Sequence, residues 1–478
     1  MKKDRRRSPT ESSLLFEIDP EPSKETITVF GGIPLVVQTW RALGLPASVM
    51  ENVRVKERER GFDEATLVES FIILNATGAD KLDDFDHLRE DEGLQELIGH
   101  KLPSSSVARQ FLYAFHAEEK IEEAKKRRAP GETAYIPEES ERLIGLGKVN
   151  QELVIEFGSR VPEEKIATVD QDATIMESRK KEALPTYKGG KGYQPMLAMW
   201  AETGMILADE FRDGNVPSMM RPLTAAKRAF GCLPPSVVEF YFRGDSACHE
   251  GELLDWLRND EREEGPKGRI GFAISAKMSE ALKTAIKRVA DKDWKLYGKQ
   301  SEEVVRECAD VVFVSNNEAA TRQSQPLRYV AIRIQKRQGE LFGDGSDVKH
   351  FAIVSNIWEW KADKLIDWHR EKAGTIEHVN DVVKNELAAG VMPCSRFGAD
   401  AAWLRLAVIS HNILIALKRL GLPENLRDAR PKRLRFLIFN TAGRVLHHAR
   451  RMILRLCTTP PRLEQYWFEG MTALVMKV

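Results

Sequence analysis

The stretch 166-IATVDQDATI-175 is short, apolar and β-branched, yet it carries two carboxylates, Asp170 and Asp172. A run of this kind reads as a buried strand. Burying an ionised carboxylate in it is expensive unless the charge is paired or binds a metal. Side chains alternate across a strand, so the two acids share one face.

Outward from this strand, Tyr193 to Trp200 and Met205 to Phe211 follow with turn residues between them, which predicts a three-stranded meander. Val216 to Phe230 reads as a helix, 236-SVVEFYFRGD-245 as a strand closed by Asp245, His249 to Asn259 as a helix, and Ile270 to Ser275 as a strand. The order is βββαβαβ. Asp245 stands at a carboxyl-terminal strand end, where open α/β sheets place their ligand sites. Val311 to Val314, Tyr329 to Ile334 and Phe351 to Ile357 are further strand-like runs, ahead of a long helix from Ala362 to Leu387 and a second from Ala401 to Leu420. On the first long helix, Glu377 and Lys384 are seven residues apart, two turns, and project from one face. Upstream, Pro34 to Leu43, Asp63 to Ala76 and Ser105 to Lys120 have helical apolar spacing, and residues 120–165, with Pro130, Gly131 and Pro137, read as a linker with room for one helix.

The chain has 478 residues, roughly three domains of about 150 residues each. With 42% hydrophobic and 30% charged residues it is an ordinary globular composition, neither disordered nor fibrous. Five scattered cysteines without a C-x-x-C pair exclude a disulfide framework or zinc ribbon and fit a reducing, cytoplasmic setting. Lys2 to Arg7 reads as a solvated tail rather than a signal segment, and Ala401 to Leu417, interrupted by Arg405, His411 and Asn412, falls short of a bilayer span; no membrane role is expected. Zero net charge conceals a polarised chain. Between Gly61 and His100, eleven acids face two bases; between Lys418 and Arg455, eleven bases face two acids. The basic tract suits helices that bury one side and hold phosphates on the other, or simply a solvated face.

Three separated acids, Asp170, Asp245 and Glu377, suit one chemistry in particular. Mg²⁺ takes hard oxygen ligands, and carboxylates can hold two ions roughly 3.5–4 Å apart that serve the attacking and leaving oxygens of an in-line phosphoryl displacement. Taken singly, each acid also fits a turn, a cap or an exposed helix face. Cys248 and His249 lack a second pair for zinc, and Trp358, Trp360 and Trp368 read as core rather than base-stacking residues.

The segments NATGADKLDDFDHLREDEGL (75–94), TVDQDAT (168–174), YKGGKGYQPMLAMWAETGMILADEFRDGNVPS (187–218), FRGDSAC (242–248), WHREKAGTIEHVNDVVKNEL (368–387) and RLRFLIFNTAGRVLHHARR (433–451) carry a resemblance to bacterial insertion-sequence transposases of the DDE domain group 1 kind. That resemblance implies an α/β ribonuclease-H-like core (βββαβαβα) with a β-rich insertion. The implied domains are a helical N-terminal domain (1–125), a linker (126–162), a core in two parts (163–279 and 351–392), the insertion (280–350) and a basic helical C-terminal region (393–478). It implies Asp170, Asp245 and Glu377 as catalytic, metal-binding residues for two Mg²⁺ ions, with Mn²⁺ as a substitute, and Asp172 in reserve as the first acid. Related transposases carry Tyr-x2-Arg-x3-Glu-x6-Lys; here Glu377-x6-Lys384 is kept, while Arg370 and Ala373 occupy the tyrosine and arginine positions. Phosphate contacts are therefore expected from Lys384, Arg370 and Lys372, from Lys191 in the YKGGKGY turn unless that is a plain hairpin loop, and from Arg433, Arg435, Arg450 and Arg451. Asp213-Gly214-Asn215 matches the family pattern and is expected to shape a nearby loop.

The implied activity is cleavage at the terminal inverted repeats of a mobile element and transfer of the 3′-hydroxyl into target DNA, by a homodimer that pairs two ends. A ribonuclease-H-like nuclease or resolvase that does not join strands, or an inactive DNA-binding derivative, are the alternatives.

Overall fold

The computed structural model describes residues 19–56, 60–301, 303–315, 326–336 and 347–476; the tail Lys2 to Arg7 lies outside them. The opening stretch forms strand β1 (Ile166–Ala173), followed by β2 (Met196–Trp200), β3 (Met205–Glu210), β4 (Glu239–Gly244) and β5 (Ile270–Ser275). Strands β6 (Lys295–Leu296), β7 (Val304–Val311), β8 (Arg328–Lys336) and β9 (Val348–Ser355) continue the same sheet, whose order is β6-β7-β8-β9-β5-β4-β1-β2-β3. β1, β4 and β5 run parallel, and the helices Pro222–Gly231 and Gly251–Arg258 make the two crossovers that a parallel pairing requires. The remaining neighbours are antiparallel. The molecule is thus a mixed α/β fold on one large mixed sheet. The expected β-rich insertion adds its strands to the core sheet through β9 and β5, and it opens with a helix, Glu280–Lys287.

Differences from the sequence reading have local causes. The strand expected from Tyr193 is split at Pro195, which cannot donate to a ladder: Lys191–Tyr193 joins Met176–Glu177 and Leu184–Pro185 in a small separate sheet, and β2 starts at Met196. The helix expected from Val216 begins only at Pro222, a proline at its first turn. The run Val311 to Val314 is strand only to Val311; Val312 is fully exposed. The linker holds a 20-residue helix, Glu141–Arg160, with Ser140 as its N-cap.

The largest departure is in the basic C-terminal tract. Gly443–His448 (β10) and Arg451–Leu456 (β11) form an antiparallel hairpin, not a helix. The reason is tertiary: Ile27–Thr28, more than 400 residues upstream, adds a third strand to β10, and pairing of this kind overrides local propensity.

Two long helices complete the frame. Phe397–Leu420 is long and apolar enough to cross a membrane, but it is wholly buried within the fold, packed against Ile33–Ala42, Glu64–Thr77, Glu141–Arg160 and β3. Several of its polar groups are met internally: Arg405 Nε lies 3.0 Å from Asp209 Oδ1, Arg405 also pairs with Glu139, and Asn412 Nδ2 donates to the Ile206 carbonyl. The other helix, Ala362–Glu386, lies across β1, β4 and β5. It buries Leu365, Ile366, Ile376, Val379, Val382 and Val383, a stripe at three- and four-residue spacing.

Candidate active site

The parallel register of β1 and β4 pairs Asp170 with Arg243 and Gln171 with Gly244. One step further along each strand stand Asp172 and Asp245. The first acid of the motif is fully buried, and both its carboxylate oxygens are taken by Arg243: Nε at 2.6 Å and Nη2 at 2.9 Å. Thr375 on the long helix donates its hydroxyl to the same carboxylate. Arg243 continues to the Trp368 carbonyl (2.6 Å) and Glu371 (3.0 Å), and its guanidinium lies 5.2 Å from the centre of the Trp368 ring. Burial works against the Arg243 charge, but the bonds to Asp170 and Glu371 hold its pKa above the ordinary value.

Asp172 has a different environment. Lys372 Nζ donates to it at 3.1 Å and Asn380 Nδ2 at 3.4 Å. Burial pushes its carboxyl up; Lys372 opposes this, while the negative charges of Asp245 and Glu377 add to it. Asp245 caps the short turn after β4, accepting from the Ala247 amide at 2.9 Å. Glu377 is exposed on the helix. Lys372 is buried, which lowers its pKa, but Asp172 and Asp245 raise it further and keep it cationic. Asp172 therefore feels the charges of both Asp245 and Glu377, and the Lys372 ammonium those of Asp172 and Asp245. Among the described residues, no three His, Cys, Asp or Glu side chains are gathered as a ligand set for a metal ion.

The other sequence-selected residues divide. Lys384 donates to the Ile175 carbonyl at 2.6 Å, just beyond the end of β1, and burial lowers its pKa. Arg370 points elsewhere, its guanidinium 5.2 Å from the Tyr297 ring centre. Lys191 is exposed on the small sheet. Arg433 lies against Phe436. Arg435 is spent inside the protein, donating to the carbonyls of Asn75, Ala76 and Glu386. Arg450 and Arg451 are exposed at the hairpin turn. Trp360 and Trp368 pack edge-on, 5.3 Å between ring centres, while Trp358 is exposed. Asp213, bridged to Tyr193, has a carboxyl pushed up to about 6 by burial, and Gly214 leaves no room for a Cβ against the Gly192 and Leu184 carbonyls. A cavity of about 510 Å³ lies between the two long helices, lined by His378, His411 and Lys418 among others, and does not include Asp170, Asp172, Asp245 or Glu377.

Sequence reading missed Arg243, Thr375 and Asn380. Arg243, an arginine in the last turn of an apolar strand beside the second acid, and Asn380, three residues from Glu377 on the same helix, each left a signal. Thr375 left none.

Across nearly the whole chain, residues 21–472, the sequence matches the model of the transposase DDE domain group 1. The chain belongs to this family. It is accordingly a DNA transposase, an enzyme of metal-dependent polynucleotidyl transfer. No curated protein matches the chain. Among solved structures, the transposase is similar to a piggyBac transposase synaptic complex with hairpin DNA, determined by cryo-EM, at 9% identity over 87% of this chain and 83% of that one, with a TM-score of 0.43.

Proposed function

We propose that β3-β2-β1-β4-β5 and the helix Ala362–Glu386 form a ribonuclease-H-like catalytic core, in which Asp172, Asp245 and Glu377 bind the divalent metal and Asp170 is structural. The reading rests on one observation: the strand register pairs Asp170 with Arg243 and Gln171 with Gly244, and Asp172 and Asp245 each follow one residue beyond that last pair. It is supported by the spare acceptor capacity of Asp172, whose carboxyl is raised first by burial and then by the charges of Asp245 and Glu377, against the saturated Asp170. Carboxylate oxygens are the hard donors that suit a divalent cation such as Mg²⁺, or Mn²⁺ in its place, as one or two ions, once the three side chains close on it. When bound, such a cation neutralises charge that develops on the phosphoryl group during displacement.

The chain's own residues do the rest. Arg243 ties β4 to β1 through Asp170 and to the helix through Glu371 and the Trp368 carbonyl, which holds the helix at a set distance from the strand ends. Lys372 balances the carboxylates, and Lys384, which donates to the Ile175 carbonyl just past β1, is the candidate to steady a phosphate. The substrates on this reading are the inverted terminal repeats of the element and its target DNA. The protein cuts to release a 3′-hydroxyl and joins that hydroxyl to the target as a homodimer.

Labelled DNA from the ends of the element, incubated with the protein and Mg²⁺, tests this. Joined products are expected from the wild type. Asp245→Asn is expected to lose both cutting and joining while retaining DNA binding. Cuts without joining would mean a nuclease, and shifted but uncut DNA a binding derivative.

A further inference from the structure

The eleven bases between Lys418 and Arg455 are not equivalent once the chain is folded. Arg419 bonds Glu164 and the Glu202 carbonyl, Arg430 bonds Asp381 and Glu386, and Arg435 is held by three carbonyls. These charges serve the interior. The hairpin β10–β11 is the opposite case. Its register sets Arg444 opposite Arg455, Leu446 opposite Ile453 and His448 opposite Arg451, so all six side chains share one face. Ile27 joins them in the row of Arg444.

The reverse face is covered at its base, where Thr28, Gly443 and Val445 are buried; toward the tip His447 lies 2.9 Å from Glu96 and Met452 is 46% exposed. On the open face, Ile27 and Ile453 are 45% and 42% exposed. Arg444 pairs with Glu25, but among the described residues Arg450, Arg451 and Arg455 meet no carboxylate. Like charges placed directly across a ladder repel, and the two-residue turn puts Ala449 and Arg450 at φ 47° and 64°, a conformation that L side chains avoid. Among the described residues, this sheet face of opposed cations around an apolar centre has one counter-charge, Glu25 on Arg444, and none at Arg450, Arg451 or Arg455.

We propose that this open face of the hairpin, through Arg444, Arg451 and Arg455 with Arg450 at the tip, docks the phosphate backbone of duplex DNA. The proposal builds on the transposase reading by naming the surface that holds the substrate away from the acids. Its apolar centre would lie over the sugar edges between the arginine contacts.

The test uses the full chain and a fluorescent random-sequence duplex, with affinity measured across a salt series. Each phosphate contact contributes about 0.9 to the slope of log K against log salt, so Arg451→Ala/Arg455→Ala is expected to reduce the slope by about 2. Arg427→Ala, whose partner is Glu424 in the same tract, is expected to leave it unchanged. Arg451→Lys/Arg455→Lys is expected to restore the slope, because phosphate binding needs only the charge. A wild-type slope in a double alanine variant that melts like the wild type would overturn the proposal. So would a change in oligomeric state at unchanged DNA affinity, which would assign the face to a second copy of the chain. Asp245→Asn is measured alongside: its failure to lose cutting would count against the carboxylate assignment and leave the hairpin result intact.

Discussion

Asp170 and Asp172 are the same residue type, on the same strand and the same face, two positions apart, and their surroundings differ. Asp170 is fully buried and saturated by a bidentate arginine and a threonine hydroxyl. Asp172, at the strand's end, meets one ammonium and one amide and shares its space with two other acids. The difference teaches that a carboxylate's role follows from who owns its lone pairs. On the proposed reading, one whose oxygens are filled by fixed protein donors holds the fold together. One left with spare acceptor capacity among like charges is poised for a cation.

The sharpest way to break the comparison is to neutralise each acid in turn. Asp172→Asn is expected to fold normally and lose cutting by roughly 10³-fold or more, the scale of removing a principal electrostatic group from an active site. Full activity in this variant, measured with Mg²⁺ and labelled ends, would return the first-acid role to Asp170.

Next in size is Asp170→Asn, which removes the buried counter-charge of the Arg243 guanidinium and leaves it only the exposed Glu371. Breaking a buried pair from one side costs about 3–5 kcal/mol, so a denaturant titration should show a loss of that order. A variant as stable as the wild type would mean that Asp170 is not the structural partner described here.

Glu371→Gln gives the smallest effect and sharpens the same point. Its carboxylate meets the same guanidinium at 3.0 Å but is 64% exposed, and surface pairs contribute about 0–1 kcal/mol. A cost matching that of Asp170→Asn would show that burial does not separate the two ends of Arg243.

Much of the fold was legible from residue patterns. The β1 strand, the βββαβαβ order and both long helices follow from apolar periodicity, and β5 was bounded to the residue. Asp245 and Glu377 stood out because a charged group at a strand end or on a helix face is visible in one dimension. The choice between Asp170 and Asp172 was not visible, since strand alternation places both on one face and only the partner across the sheet separates them. The hairpin was missed for the same reason: its pattern suits a helix until Ile27–Thr28 is brought alongside.

By itself, the order of residues determined which segments are strands and helices, which acids lie on a shared face, and that positive charge gathers near the carboxyl-terminal end. These depend on periods of two and 3.6 residues and on composition, all of which are local quantities. The tertiary structure alone decided that Arg243 claims Asp170, that Lys372 and Asn380 attend Asp172, and that some arginines of one basic tract are consumed by carbonyls while others face solvent. Hydrogen-bond and charge partners are chosen by distance in space, and residues separated by 70 to 400 positions become neighbours only when the sheet register and helix packing are set.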